Sequence, residues 1–412
     1  MATRTWIGRA LDVSHALRAN VTAYDAATTY SVTVNTKAIS VIAQGNSTAT
    51  ATALVSAWNS STAAEFQEAT ATANGTFFEL AGVTAGKPLA VTSAASGGTG
   101  TFGAFANTTA PTGKSWWNNA NNWSEGSVPT GNDTVVIDAG PSILYGVDYG
   151  NTTLARLYIG PNFPATSEIG LPENTNPQQP SAGYPEYRTT RLTINASQIE
   201  IAAISKRIRL NANTANSTII VNNSGQPQVA GETAIDIVAG NGTTSAAVFV
   251  TKGNLTLNGN VSDLNVSFRT SQDGDVQVKG HRDLILTNLD QSGGTVEVGN
   301  GVATVAKTAG ALTLTAGTIT TLNNNGGTFY HDGNGTLTTV NNYGFFERRS
   351  FRTGTITTLN LFAKSRFSDR NGTLTITNPV ALSGCRLSSG PEDRGDDVAY
   401  ADFGRGRTLT VS

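Results

Sequence analysis

The sequence is poor in the residues that usually carry chemistry. One cysteine, Cys385, and three histidines, His15, His281 and His331, stand in 412 residues. A single thiol excludes an internal disulfide framework and a cysteine-built zinc cage. The histidines are far apart and none has an i, i+4 partner, so no metal motif opens on them and surface or turn positions are expected for all three. Charge is scarce too: 14% of residues are charged and the net charge is -2, which leaves no electrostatic footprint for nucleic acid or an anionic membrane. No apolar run reaches the roughly 18 residues that a membrane helix needs. The first residues, MATRTWIGRALDVSHALRANV, are broken by Asp12, His15 and Arg18, and no signal peptide is expected there. No G-x-S-x-G, Walker or G-x-G-x-x-G phrase falls in a strand-turn-helix setting.

What the chain has instead is glycine, threonine and asparagine, arranged in a repeat. GTITTLN begins at Gly317 and returns as GTLTTVN from Gly335, GTITTLN from Gly354 and GTLTITN from Gly372. A unit this short cannot bury an apolar face alone and must stack on a copy of itself. Its apolar residues sit at i and i+3 (Ile319 with Leu322, Leu337 with Val340, Ile356 with Leu359). The β-branched threonines between them and the framing Gly and Asn disfavour a helix. A strand that turns a corner between two inward residues has the same spacing. Stacked rungs then predict one interior ladder of Ile319, Leu337, Ile356 and Leu374, and a column of amides from Asn323, Asn341, Asn360 and Asn378. Roughly a dozen such rungs make a rod about 60 Å long at about 4.8 Å each. The expected fold is mainly β, a parallel β-helix (solenoid) with a small N-terminal α+β domain.

Residues 1–23 read as a lead-in segment. Residues 24–106 read as a small ββαββ module: two alternating strands around a turn at Asn35, then a helix with Ser47 or Thr48 as N-cap and Leu54, Val55 and Trp58 on its apolar face, then two more strands. Residues 107–140 form a linker and a Trp-rich cap, and residues 141–412 the β-helix, with a Pro-rich loop at 161–185. Trp6 looks like a lead-in phrase related to the cap, which makes the module an insertion near the start of the solenoid.

Two stretches carry a resemblance. The phrase YSVTVN from Tyr30 to Asn35, followed by a helix ending at Trp58-Asn59, resembles small domains of bacteriophage and prophage structural proteins. The segment with Trp117, Trp123, Gly126, Pro129, Asp133 and Val135 to Ile137 resembles the opening of β-helical surface and phage proteins, and IGLPENTNPQQPSAGYPEYR is similar to phrases from prophage-like regions. The resemblance implies a virion component of fibre, spike or capsid-decoration type, located on a particle assembled in the host cytoplasm. It implies a homo-oligomer, a trimer being one form, in contact with other virion proteins and with a host-surface glycan as a candidate ligand. A secreted or cell-surface β-helical adhesin or filament subunit is the alternative, and a polysaccharide-degrading tailspike a third.

Few residues invite a sharper role. Trp116, Trp117 and Trp123 can cover the open end of the first rung, or serve as a glycan platform. Near the C-terminal rungs, aromatic and arginine residues cluster, and Tyr343, Phe346, Arg348, Arg349, Arg352 and Arg366 form a candidate interface of the composition that dominates protein contacts. Asp283, Asp290 and Glu297 approach the spacing a glycosidase needs, but lone outward charges are the simpler reading. EDRGDD at 392–397 reads as a solvated loop. No catalytic residue, cofactor or metal is expected, and no enzymatic activity.

Overall fold

Extended strand is what the repeat favours locally, and the computed structural model of the chain has 53% of its residues in strands and 6% in helices. It describes residues 2–172, 186–212, 216–225, 233–267, 276–369, 373–381 and 386–388. Two stacks of parallel strands alternate along the chain and coil into a β-solenoid of about 10 turns, roughly 48 Å of rod at a 4.8 Å strand spacing. One stack runs from Thr3–Thr5 through Thr134–Ile137 and Asp148–Ile159 to Gly354–Leu361 and Leu374–Ala381. The other runs from Glu168–Ile169 through Arg207–Ala212 to Arg366–Asp369 and Arg386–Ser388. The long strand Gly253–Val266 turns the corner and contributes to both.

The corner explains the i, i+3 spacing. Ile319, Leu337 and Ile356 face one another in register, as do Leu322, Val340 and Leu359, and all six are buried. The fourth rung departs from the expected ladder. Ile356 pairs with Ile376, while Leu374 lies opposite Gly354. Aligning the repeats by their glycines would have put Thr377 in the place of Leu359. A slip of two residues stacks the buried Ile376 on Ile356 and sets Pro379 rather than Thr377 opposite Leu359 in register, and because the strand period is two, the faces are preserved. The same slip removes Asn378 from the amide column. That column holds Asn323, Asn341 and Asn360, joined by side-chain hydrogen bonds of 2.8 Å each.

Glycine is required where rungs stack most closely. A Cβ on Gly317, whose φ is +82°, would lie 2.2 Å from the Gly301 nitrogen, and one on Gly335 would lie 1.7 Å from the Gly317 oxygen. The repeat therefore keeps its glycine because the backbone of the preceding turn occupies that space.

The small domain is inserted after the first solenoid strand. Thr3–Thr5 pairs with Thr134–Ile137, and between them the chain leaves to form a five-stranded and a three-stranded antiparallel sheet packed on one helix. Its first strand is Ala16–Ala23, which falls within the lead-in segment expected from the sequence, and its last is Ala106–Thr109. The Asn35 turn joins Thr29–Val34 to Lys37–Ile42 with Asn35 at φ +55°, a conformation asparagine tolerates. The helix spans Ser47–Ser60, and its N-cap is Asn46, one residue before the expected position, whose side chain accepts from the Ala49 N–H. Leu54 and Trp58 are buried and Val55 only partly so. Trp58 sits edge-on to Phe66 and Phe78 and donates its indole N–H to the Ala69 carbonyl at 2.8 Å.

Of the segment expected as a Pro-rich loop, the part up to Pro172 belongs to the solenoid. Phe163 is fully buried in its core, and Glu168–Ile169 is a strand in register with Arg207 and Ile208. Residues 173–185, Cys385 and the 392–397 loop lie outside the described residues.

Leu337 or Ile356 changed to Asp places an unpaired carboxylate between stacked apolar side chains, at an expected cost of about 4 kcal/mol or more. The C-terminal turns should then become susceptible to limited proteolysis. A soluble variant with the wild-type protease-resistant pattern would contradict this placement.

Candidate functional site

Three places hold the residues singled out in the sequence: the C-terminal turns, the capped end, and a cleft beside the cap. At the C-terminal turns the candidate interface separates into an inner and an outer set, because strand alternation sends neighbouring side chains to opposite faces. Phe346 is fully buried and stacks between Phe329 and Phe367, at centroid distances of 5.2 and 4.7 Å. Arg348 is also fully buried. Its guanidinium donates to the carbonyls of His331, Gly333 and Arg352 and to the Thr373 hydroxyl. Neither Phe346 nor Arg348 can reach a partner, so both leave the candidate interface. Tyr343 remains exposed and lies flat on Phe362, 3.8 Å between centroids and 5° between planes. Arg349 forms a two-pronged ion pair with Asp332 at 2.7 and 3.0 Å while covering the Tyr330 ring at 3.6 Å. Arg366 covers the Phe345 ring, and Arg352 is exposed beside the 86% exposed Phe351.

The solenoid interior here is not wholly apolar. Leu314, His331, Arg348 and Asp369 succeed one another in register, all four buried and the last three polar. Burial, with the neighbouring Arg348 cation adding to it, holds the His331 pKa down to about 3. Gly354 closes over the pair: a Cβ there would lie 3.1 Å from His331 Cε1 and 3.2 Å from an Arg348 terminal nitrogen. A second polar column runs through Gln291, Lys307, Asn324 and Asn342, all buried. Lys307 donates to the Gly326 carbonyl at 2.6 Å, and burial lowers its pKa to about 8. Asn324 donates to Asn342 at 2.6 Å. Neither column is expected from the repeat pattern, although the doubled asparagine of NNNGG and NNYG is a visible signal for the second. The histidines also correct an expectation. Only His281 lies on an exposed turn, paired with Asp283; His15 is buried, its Nδ1 accepting from the Leu89 N–H and its Nε2 facing Asn107.

The acids considered for glycoside chemistry are dispersed. Asp283 is on the His281 turn, Asp290 pairs in register with Asn265 and Ala306, and Glu297 with Lys279 and Thr313. Among the described residues no group of three or more His, Cys, Asp or Glu is placed to hold a metal.

At the other end, Trp6, Trp117 and Trp123 are buried and meet edge to face, 5.2 Å from Trp6 to Trp123 and 4.7 Å from Trp117 to Trp123. Their indole nitrogens on Trp6 and Trp123 donate to the Pro141 and Trp117 carbonyls. They share one core with Val135, Ile137 and Ile143 of the first turns. Asn122, fully buried, ties the segment together by accepting from the Ala10 N–H and donating to the Gly113 and Trp116 carbonyls. Asp133 pins the first strand. Burial alone would raise its pKa, but the Ala2 and Thr130 N–H groups and Arg4 hold it down to about 2. Trp117 and Trp123 thus have no open ring face for a sugar.

Trp116 points elsewhere. Its indole N–H reaches across to the Gly86 carbonyl of the inserted domain at 2.7 Å, and its ring rests on Tyr145, 5.3 Å between centroids. These two rings line a cleft of about 730 Å³ with Pro88, Asn118, Arg188 and Thr189 among its other walls. Arg188 joins domain to solenoid: it pairs with Glu68 and with Glu186 and donates to the Pro88 carbonyl, while Lys87 and the Tyr187 hydroxyl also meet Glu68. Comparison of the chain with family models, with curated proteins and with solved structures finds no match in any of the three.

The His331 column generates a pH dependence. The folded pKa of about 3 lies below the unfolded value of about 6.5, so the unfolded chain takes up the proton first. Stability is then lost as pH falls below about 6.5, by about 1.4 kcal/mol per pH unit, until the folded value is reached. Urea unfolding should show a drop of about 2 kcal/mol between pH 7 and pH 5 from this residue, and His331→Leu should remove that component. An identical pH slope in wild type and variant would contradict it.

Proposed function

We propose that the protein is a structural component of an exposed assembly, a fibre, spike or decoration protein of a bacteriophage or prophage particle that mediates assembly or surface attachment. The observation that supports this most is the continuous filled interior, which runs from Trp6 at the cap to Ile376 in the last described turns. A solenoid packed in this way is a stiff rod whose described turns are filled by their own side chains. What it offers is its outside: Thr and Asn ladders along the shaft, an inserted domain at one end, and the Tyr343 and Phe362 stack with Phe351, Arg349, Arg352 and Arg366 near the other. Aromatic side chains and guanidinium groups, with Arg349 over Tyr330 and Arg366 over Phe345, are the composition of protein contacts, and they suit docking onto another copy in a homo-oligomer or onto a second virion protein.

A secreted or cell-surface adhesin or filament subunit is the second reading. It is favoured by the low charge of the outward Thr and Asn surface, which suits a solvated shaft outside the cell as well as on a particle. No helix among the described residues is long and apolar enough to cross a membrane.

Immunogold electron microscopy with antibody against the purified protein separates these readings in the organism that encodes it. Label on released particles supports the virion component, and label on the surface of intact cells supports the adhesin. Label confined to the cytosol of opened cells overturns both.

A further inference from the structure

The cleft between the inserted domain and the first solenoid turns has an unusual balance of groups. Trp116 and Tyr145, each partly exposed, give it aromatic walls. The Trp116 N–H is already engaged by Gly86, so its ring presents only carbon. Among the described residues, the Tyr145 hydroxyl, the Asn118 amide and the Thr189 hydroxyl lining the same cleft have no hydrogen-bond partner within the protein. The Thr193 hydroxyl receives only a 3.5 Å bond from Asn211. Burial raises the Tyr145 pKa to about 12, which keeps that hydroxyl a neutral donor.

The charge of the walls narrows the ligand. Arg188 is the one charged side chain among the described residues that line the cleft, and its guanidinium is held between Glu68 and Glu186 with its side chain 6% exposed. Those two acids are balanced by Arg188 and Lys87. An anionic ligand would find no free cation, and a cation would find no free acid. A wholly apolar ligand would strip water from the Tyr145, Asn118 and Thr189 groups without replacing their hydrogen bonds, which is costly. A ligand with an apolar face and a rim of neutral hydroxyls satisfies both kinds of wall at once. A pyranose ring is of this kind, with C–H groups to lie on an aromatic ring and hydroxyls to pair with amide and phenol. The cleft volume falls within the range of about 300–1,000 Å³ common to ligand sites, enough for a short oligosaccharide.

We propose that this cleft is a binding site for an uncharged saccharide, recognised by the Trp116 and Tyr145 rings together with the Asn118, Tyr145 and Thr189 polar groups. The inference deepens the attachment reading above by naming what is attached to. The gold-labelling result does not depend on it, so the two can fail separately.

The test is an array of neutral and acidic glycans probed with the full chain, followed by calorimetry with the retained glycan. Three variants leave the cap and the Arg188 cluster in place: Tyr145→Phe, which removes one hydroxyl, Asn118→Ala, and Thr189→Trp, which fills the cleft from an exposed position. The expected result is retention of neutral glycans, affinity lowered about tenfold by Tyr145→Phe or Asn118→Ala, and loss of binding in Thr189→Trp, with the thermal transition unchanged in all three. Retention of no glycan, retention of acidic glycans alone, or unchanged affinity in all three variants would overturn the proposal.

Discussion

Along the described turns of the solenoid each inner side chain lies about one strand spacing, roughly 4.8 Å, from its counterpart in the next turn, and that constraint governs the rest of the structure. Parallel backbone pairing sets the spacing, so each interior position must be filled by a residue that can stack on its neighbours above and below. Aliphatic columns satisfy this by contact alone, as Ile319, Leu337, Ile356 and Ile376 do. Aromatic rings satisfy it by stacking, as Phe329, Phe346 and Phe367 do. Polar columns are held partly by hydrogen bonds, as where the buried Asn324 reaches Asn342 and the buried Arg348 reaches three backbone carbonyls, while the His331 ring next to Arg348 in register has both of its nitrogens unpartnered among the described residues.

The constraint also creates the special structures at the cap. A stack of rungs has an end, and an open end exposes apolar side chains and unpaired strand backbone. Three edge-to-face tryptophans and a buried asparagine close it here, and the domain inserted between Thr3–Thr5 and Thr134–Ile137 is held beside that closure through Glu68 and Arg188. Capping and insertion together leave a cleft whose walls come from both parts of the chain, a feature neither would have alone.

Much of the solenoid could be read from residues because its constraint is one-dimensional. GTITTLN and its copies display the corner spacing directly, and the Asn323, Asn341 and Asn360 column follows from it. Legibility stopped where the determining contact crosses a turn. The slip that pairs Ile356 with Ile376 depends on what Leu359 would otherwise face. The inward direction of Phe346 and Arg348 depends on alternation within a short strand, and in FFERRS an apolar pair followed by three charges gives no alternating signal. The candidate site was half legible for a similar reason. The three tryptophans stand together in the sequence, but which one faces the cleft is decided by Tyr145 and Gly86, remote in sequence, and by Arg188, which no local pattern connects to Glu68.

Register is the most direct point at which stacked columns can be examined. With Cys385 replaced by serine, cysteines at Thr358 and Asn378 occupy paired positions, within the Cα separation of about 4.4–6.8 Å that a disulfide spans. Cysteines at Asn360 and Asn378 occupy the pairing that alignment of the glycines would give. Mild oxidation of the folded protein, read by mass spectrometry of the linked peptides, should join the 358 and 378 pair and leave the 360 and 378 pair reduced. Efficient linking of 360 to 378 with none of 358 to 378 would contradict a register set by the inner columns.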